Sequence, residues 1–239
     1  MALSCWLLTR PAEDSDAVAR ALAALGHRSV VAPVLKVETH DGAMPDLSGV
    51  QALLFTSANG VRAFARTSTR RDLLVLAVGD ASATAARTAG FAAVESAAGD
   101  VEDLARLAAA RLSPTDGALL HVAGSHRAGD LQTSLESSGF AVRRAVLYTA
   151  RAVGALPEAA AAALTRSELA GVLLFSPRTA AVFDTLVGAA GLTGRLADLT
   201  AVCLSEAVAA RLDKNAWDRL LIAERPVLPA LLALIEDAG

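Results

Sequence analysis

Aromatic residues are scarce. Six Phe, two Trp and one Tyr make up 4% of the 239 residues, in a chain that is 54% hydrophobic. The core must therefore be built mainly from Ala, Leu and Val. Cysteine is scarcer still. Cys5 and Cys203 both fall inside apolar stretches read as strands, which fits buried free thiols rather than a disulfide framework and points to a reducing, cytoplasmic setting. The four histidines (27, 40, 121 and 126) stand at no metal-ligand spacing, so no metal is expected. Basic residues are not in excess. A net charge of −3 leaves no footprint for nucleic acid. No apolar run approaches the roughly 18 residues of a membrane span. The opening MALSCWLLTRP has no basic n-region and meets Arg10 early, so it reads as a first strand and not a signal peptide. Neither G-x-G-x-x-G nor G-x-x-x-x-G-K-[ST] occurs. Paired carboxylates, a Cys–His pair and a Ser-His-Asp constellation are also missing in any evident register.

What is present is an alternation of strand and helix, organised around LLFTSANGVRAF at 53–64. Ala52 to Phe55 is an apolar run too short for a helix and suited to a strand buried on both faces. Thr56 to Gly60 are small or polar, and a helical pattern resumes at Val61. A strand that runs into a helix in this way presents free backbone N–H groups and the positive end of the helix dipole, a corner suited to carboxylates or phosphates. LLFSPRTAAVF at 173–183 repeats the plan, with Pro177 in the first helical turn. Strands are expected at 5–9, 29–34, 52–56, 73–78, near 92–95, and at 118–122, 141–149, 171–175, 200–204 and 219–222. Helices are expected between them, including 100–111 with Asp100 as N-cap and Asp103 at the capping-box position, 127–138, and 205–213. The fold class is α/β, with doubly wound parallel sheets covered on both faces.

The chain also repeats itself. Residues 7–26 resemble 119–139, 53–64 resemble 173–183, and 78–90 are echoed faintly by 203–212. A cut near residue 115 would be the simple inference, but SPTDG at 113–117 is an ordinary tight loop. The irregular stretches lie elsewhere, at linkers 37–49 and 150–157. Residues 1–36 hold too little to fold alone. They are expected to complete one discontinuous domain with 158–239, leaving 50–149 as an inserted domain.

Several stretches then carry a resemblance. A first strand ending in TRP, FTSANGV, VGDASATAARTAGF, DVEDLARL, a G-x-x-R segment before a long strand ending in Tyr, FSPRTA and LSEAVAARL follow in the order found in the uroporphyrinogen-III synthase family. The resemblance covers nearly the whole chain. It implies two small parallel-sheet domains joined by a two-segment linker, with the active cleft between them. It also implies a reaction. Linear hydroxymethylbilane loses its hydroxyl, its last pyrrole ring is inverted, and the macrocycle closes as uroporphyrinogen III, without a cofactor. The substrate would come from hydroxymethylbilane synthase, and the protein would be a monomer acting without membrane or nucleic acid.

That substrate carries eight carboxylates, and the family binds largely through backbone amides and hydroxyls at strand-to-helix corners. The resemblance therefore implies substrate binding by Arg10, Thr56, Ser57, Ala58, Asn59, Ser82, Gly124, Arg127, Ser176 and Arg178. Helix capping alone would explain Thr56, Ser57 and Asn59 equally well. Surface ion pairing would explain Arg127 and Arg178, and a solvated loop charge Arg10. Tyr148, the only Tyr, stands where the family carries a Tyr close to the substrate, and is the candidate catalytic residue. Its alternative is an interfacial aromatic with a wet hydroxyl. The chain departs from the family at 205–209, where SEAVA replaces G-P-T-[ST]-A; there Glu206 is expected to cap its helix. Two other classes stay open at this point, a non-catalytic two-domain sensor and a flavodoxin-like binding protein.

Overall fold

The computed structural model describes residues 4–40, 44–126 and 130–236. In chain order it runs β1 (Cys5–Leu8), α1 (Ala12–Ala24), β2 (Arg28–Val31), β3 (Leu35–Thr39), β4 (Val50–Phe55), α2 (Ala58–Thr67), β5 (Leu74–Ala77) and α3 (Asp80–Thr88). Next come β6 (Val94–Ser96), α4 (Val101–Arg111), β7 (Ala118–Gly124), α5 (Leu131–Ser137) and β8 (Val142–Ala152). The last part is α6 (Glu158–Thr165), β9 (Gly171–Leu174), α7 (Pro177–Ala189), β10 (Thr200–Cys203), α8 (Glu206–Ala209), β11 (Arg219–Ile222) and α9 (Leu228–Glu236). Among the described residues no helix is long and apolar enough to cross a membrane.

These elements gather into two compact units, Met1–Lys36 with Arg151–Gly239, and Val37–Ala150. The first holds a five-stranded sheet in the order β11-β10-β9-β1-β2, parallel throughout. Because side chains alternate along a strand, the two faces separate cleanly. Leu7, Val172, Leu174 and Ala201 pack with Ala160 and Leu164 of α6 and Phe183 of α7. Trp6, Leu8, Leu173 and Val202 pack with Val18 and Leu22 of α1 and Leu231 of α9.

The second unit holds six strands in the order β3-β8-β7-β4-β5-β6, and the run from β8 to β6 is parallel. One face buries Leu53, Phe55, Val75 and Val122 against Val61 and Phe64 of α2. The Phe55, Phe64 and Phe91 rings meet there at centroid distances of 6.0 to 6.3 Å. The other face buries Ala52, Leu54, Leu76 and Leu119 against Leu104 of α4 and Leu135 of α5. Both cysteines are buried and free, and burial pushes the Cys203 thiol up to about 12, which leaves it inert.

Side-chain caps mark four of the helix starts, those of α2, α4, α5 and α7. Ser57 and Ser176 cap α2 and α7, accepting from the amides of Asn59 and Thr179. Asp100 and Asp103 form the expected capping box on α4. Three expectations need correction. The stretch 37–49 is not irregular from its start, because β3 runs to Thr39 at the edge of the second sheet beside β8. At its end the His40 amide donates to Leu147 O at 2.8 Å. The second expected linker also begins as strand, since β8 continues to Ala152. Finally, the helix expected over 205–213 is only four residues long, and Glu206 occupies its first turn while Ser205 is the N-cap. Asp213 ends that stretch by accepting from Asn215 N at 3.1 Å and starting a separate 3₁₀ turn. The helix expected from 127 is described from Leu131, capped by Asp130.

Candidate active site

Parallel strands bring their carboxyl ends to one edge of a sheet, which is where ligands of open α/β sheets bind. In the second unit that edge carries, in the order of the strands, Tyr148 from β8, Gly124 from β7, the Thr56–Asn59 corner after β4, and the Gly79–Ser82 corner after β5. Ser57 Oγ accepts from Asn59 N at 3.2 Å, and Asn59 Oδ1 accepts from Arg62 Nη2 at 2.6 Å. Ala58 opens α2 and is buried, as is Ser82 in the first turn of α3.

The Tyr148 ring is buried, and two glycines make its seat. A Cβ added at Gly124 would stand 2.8 Å from Tyr148 Cζ and 3.1 Å from its Oη. One added at Gly60 would stand 3.0 Å from Val122 O and 3.7 Å from Tyr148 Cε1. Any larger residue at 124 would therefore displace the ring. The pairing of β7 with β8 shifts register between Ala123 and Gly124, and Ser125 N donates to Tyr148 O at 2.9 Å beyond the shift. Arg144 Nη2 donates to Gly124 O at 2.5 Å from the adjacent strand. Gly124 thus lies against the Tyr148 ring.

His121, on β7, also belongs to this edge. It follows Leu119 by two residues and so shares the sheet face of Leu54 and Leu119, as does Thr56 two residues after Leu54. Its Nε2 lies 3.3 Å from Thr56 Oγ1. Burial, with Arg144 paired opposite it, brings the imidazole down from 6.5 to about 4, so the ring is neutral. The available signal was a lone polar residue inside the buried run ALLHVAG.

In the first unit, β1 and β9 are neighbours, so their corners adjoin at the carboxyl edge. The Arg10 guanidinium lies 4.3 Å from the centroid of the Phe175 ring, with Asp14 at 3.9 Å. Ser176 Oγ accepts from Thr179 N at 3.1 Å and is hydrogen-bonded to the Thr179 hydroxyl at 2.8 Å. Arg178, half-buried, stands in the first turn of α7. Arg10, Ser176 and Arg178 therefore belong to one edge, and Thr56, Ser57, Ala58, Asn59, Ser82, Gly124 and Tyr148 to another. Arg127 lies outside the described residues. No cluster of three or more His, Cys, Asp or Glu among the described residues is placed to hold a metal ion.

Comparison with known proteins agrees with this architecture. No curated protein sequence matches the chain. Among solved structures, uroporphyrinogen-III synthetase from Helicobacter pylori aligns with a TM-score of 0.64 at 16% identity, covering 99% of this chain and 100% of that one. A mutant uroporphyrinogen III synthase from the extremely thermophilic bacterium Thermus thermophilus aligns with a TM-score of 0.53 at 19% identity, covering 99% and 98%. At such identities these two establish the shared fold. The family is established by sequence, because the model described as uroporphyrinogen-III synthase HemD matches residues 16–233. The chain belongs to the uroporphyrinogen-III synthase family, the cyclising lyases of tetrapyrrole biosynthesis.

Proposed function

We propose that this uroporphyrinogen-III synthase holds the carboxylates of hydroxymethylbilane at its strand-to-helix corners and uses Tyr148 as proton donor to the departing hydroxyl. The observation that carries the assignment of Tyr148 is its seat, a buried phenol resting on Gly124 at the carboxyl edge that also bears the Thr56–Asn59 corner. Pyrrole electrons expel the hydroxyl as water once the phenol delivers a proton to it, and loss of the pyrrole N–H proton, which the phenolate can take back, leaves an azafulvene. A phenol with a reference pKa of about 10 is protonated at neutral pH and can make that donation. The azafulvene closes spontaneously to the type I isomer, so the protein must hold the chain ends for closure at the substituted carbon of the last ring. The donor sets the rate, and the grip on the carboxylates sets the isomer. The substrate is supplied by hydroxymethylbilane synthase, and the enzyme works as a cytoplasmic monomer.

The test is to feed freshly generated hydroxymethylbilane and identify the porphyrin isomer after oxidation. Type III is expected; only type I, at the uncatalysed rate, would overturn the assignment. Tyr148→Phe keeps the ring on Gly124 and deletes the donor. It is expected to lower kcat by about 10²-fold, with the melting temperature and the type III product retained. Native turnover by that variant would make Tyr148 a packing residue.

A further inference from the structure

The Thr56 hydroxyl has a neighbour on its inner side, the His121 imidazole, with Nε2 at 3.3 Å. A hydroxyl carries one proton and two lone pairs, whereas a carboxylate only accepts. To bind a carboxylate, Thr56 must direct its proton outward, and a donor from inside then fixes it in that sense. A neutral imidazole offers such a donor on one nitrogen only. If Nε2 were bare, Thr56 would donate inward and turn its lone pairs toward the anion. We propose that His121 is a positioning residue for substrate binding, its Nε2–H donating to Thr56 Oγ1 so that the Thr56 O–H is held as a donor to a substrate carboxylate.

The inference rests on the proposal that the Thr56 corner holds such a carboxylate. Two features of the fold support it. Parallel pairing of β4 with β7 sets Leu54 opposite His121 and Phe55 opposite Val122, so the ring is delivered to Thr56 by backbone register and not by a flexible stem. Arg144 stands opposite His121 on β8 and is anchored on Gly124 O. Burial, together with the Arg144 charge, disfavours the imidazolium, so the ring orients the hydroxyl without adding a second cation.

A double-mutant cycle on the full chain tests this, read as KM and kcat for hydroxymethylbilane. Thr56→Val is expected to raise KM by about tenfold, the loss of one hydrogen bond to a charged group. His121→Met should raise KM in the native background and have no further effect in the Thr56→Val background. His121→Gln, whose amide nitrogen lies near the place of Nε2, should restore most of the affinity. An equal KM increase from His121→Met in both backgrounds would overturn the proposal and leave the corner's role standing. An unchanged KM in Thr56→Val would overturn both. Should His121→Met fail to fold, the tautomer of the native protein decides. Imidazole ¹⁵N spectra are expected to show the proton on Nε2 at neutral pH, and a proton on Nδ1 alone would overturn the assignment.

Discussion

At the carboxyl edge of the second sheet, Gly124 and His121 each owe their character to a neighbour. Gly124 lacks a side chain because the Tyr148 ring needs the space. His121 is neutral because burial and Arg144 both disfavour its charge. The latter has a consequence for stability. The folded ring titrates at about 4 against 6.5 for the ordinary imidazole. Between these values the unfolded chain binds a proton that the folded chain does not, so unfolding becomes easier as pH falls. The contribution is complete above pH 6.5, is lost as pH drops to about 4, and is of order 3 kcal/mol at most. His121→Gln is therefore expected to flatten the dependence of urea-unfolding free energy on pH in this window. An unchanged slope would show that the ring titrates normally. Tyr148 stands out in the sequence through the resemblance alone, as the one Tyr near the end of a long strand. His121 does not, since the role proposed for it depends on a residue 65 positions away that β4–β7 pairing brings beside it.

At the scale of the element, a strand-to-helix corner starts the helix and, in the proposed function, also receives the anion, and one residue can separate the two duties. Ser57 caps α2 through its oxygen. Asp is as good an N-cap as Ser, but carries the charge of the substrate. Ser57→Asp should keep the melting temperature near native and raise KM by tenfold or more, since like charges repel in a partly buried corner. Ser57→Ala should do the reverse, losing about 1 kcal/mol of stability with a smaller change in KM. Native affinity in Ser57→Asp would mean that the corner does not face an anion. Such corners were legible because capping depends on residues within three positions of one another, as the Asp100–Asp103 box also shows. β3 was obscured because Leu35 to Thr39 alternates for only five residues before a stretch broken by Gly42 and Pro45. α8 was overestimated because its apolar pattern continues to Leu212, which is buried without being helical.

For the whole molecule, the internal repeat and the sheet topology together determine how the chain divides. By the repeat, β1 corresponds to β7, β4 to β9 and β5 to β10. The sheets then have the same order, β2-β1-β9-β10-β11 and β8-β7-β4-β5-β6. Each sheet nevertheless draws on both halves of the duplication. β1 and β2 of the first half pair with β9 to β11 of the second, while β4 to β6 of the first half pair with β7 and β8 of the second. A cut near residue 115 severs the β4–β7 pairing in the middle of one sheet and the β1–β9 pairing in the middle of the other. The loop there is also fastened, with Gln51 Nε2 donating to Ser113 O at 2.9 Å and to Gly117 O at 2.7 Å. We propose that the second unit is the autonomous domain. A fragment spanning 35–152 keeps all six of its strands and both faces of its core. It is expected to unfold cooperatively in urea with a native-like circular dichroism spectrum. The halves 1–115 and 116–239, each holding strands whose central partners lie in the other, are expected to show no cooperative transition when separate. Cooperative unfolding of either half alone would mean that the repeats are themselves the folding units, and that the exchange of strands between them is not required for stability.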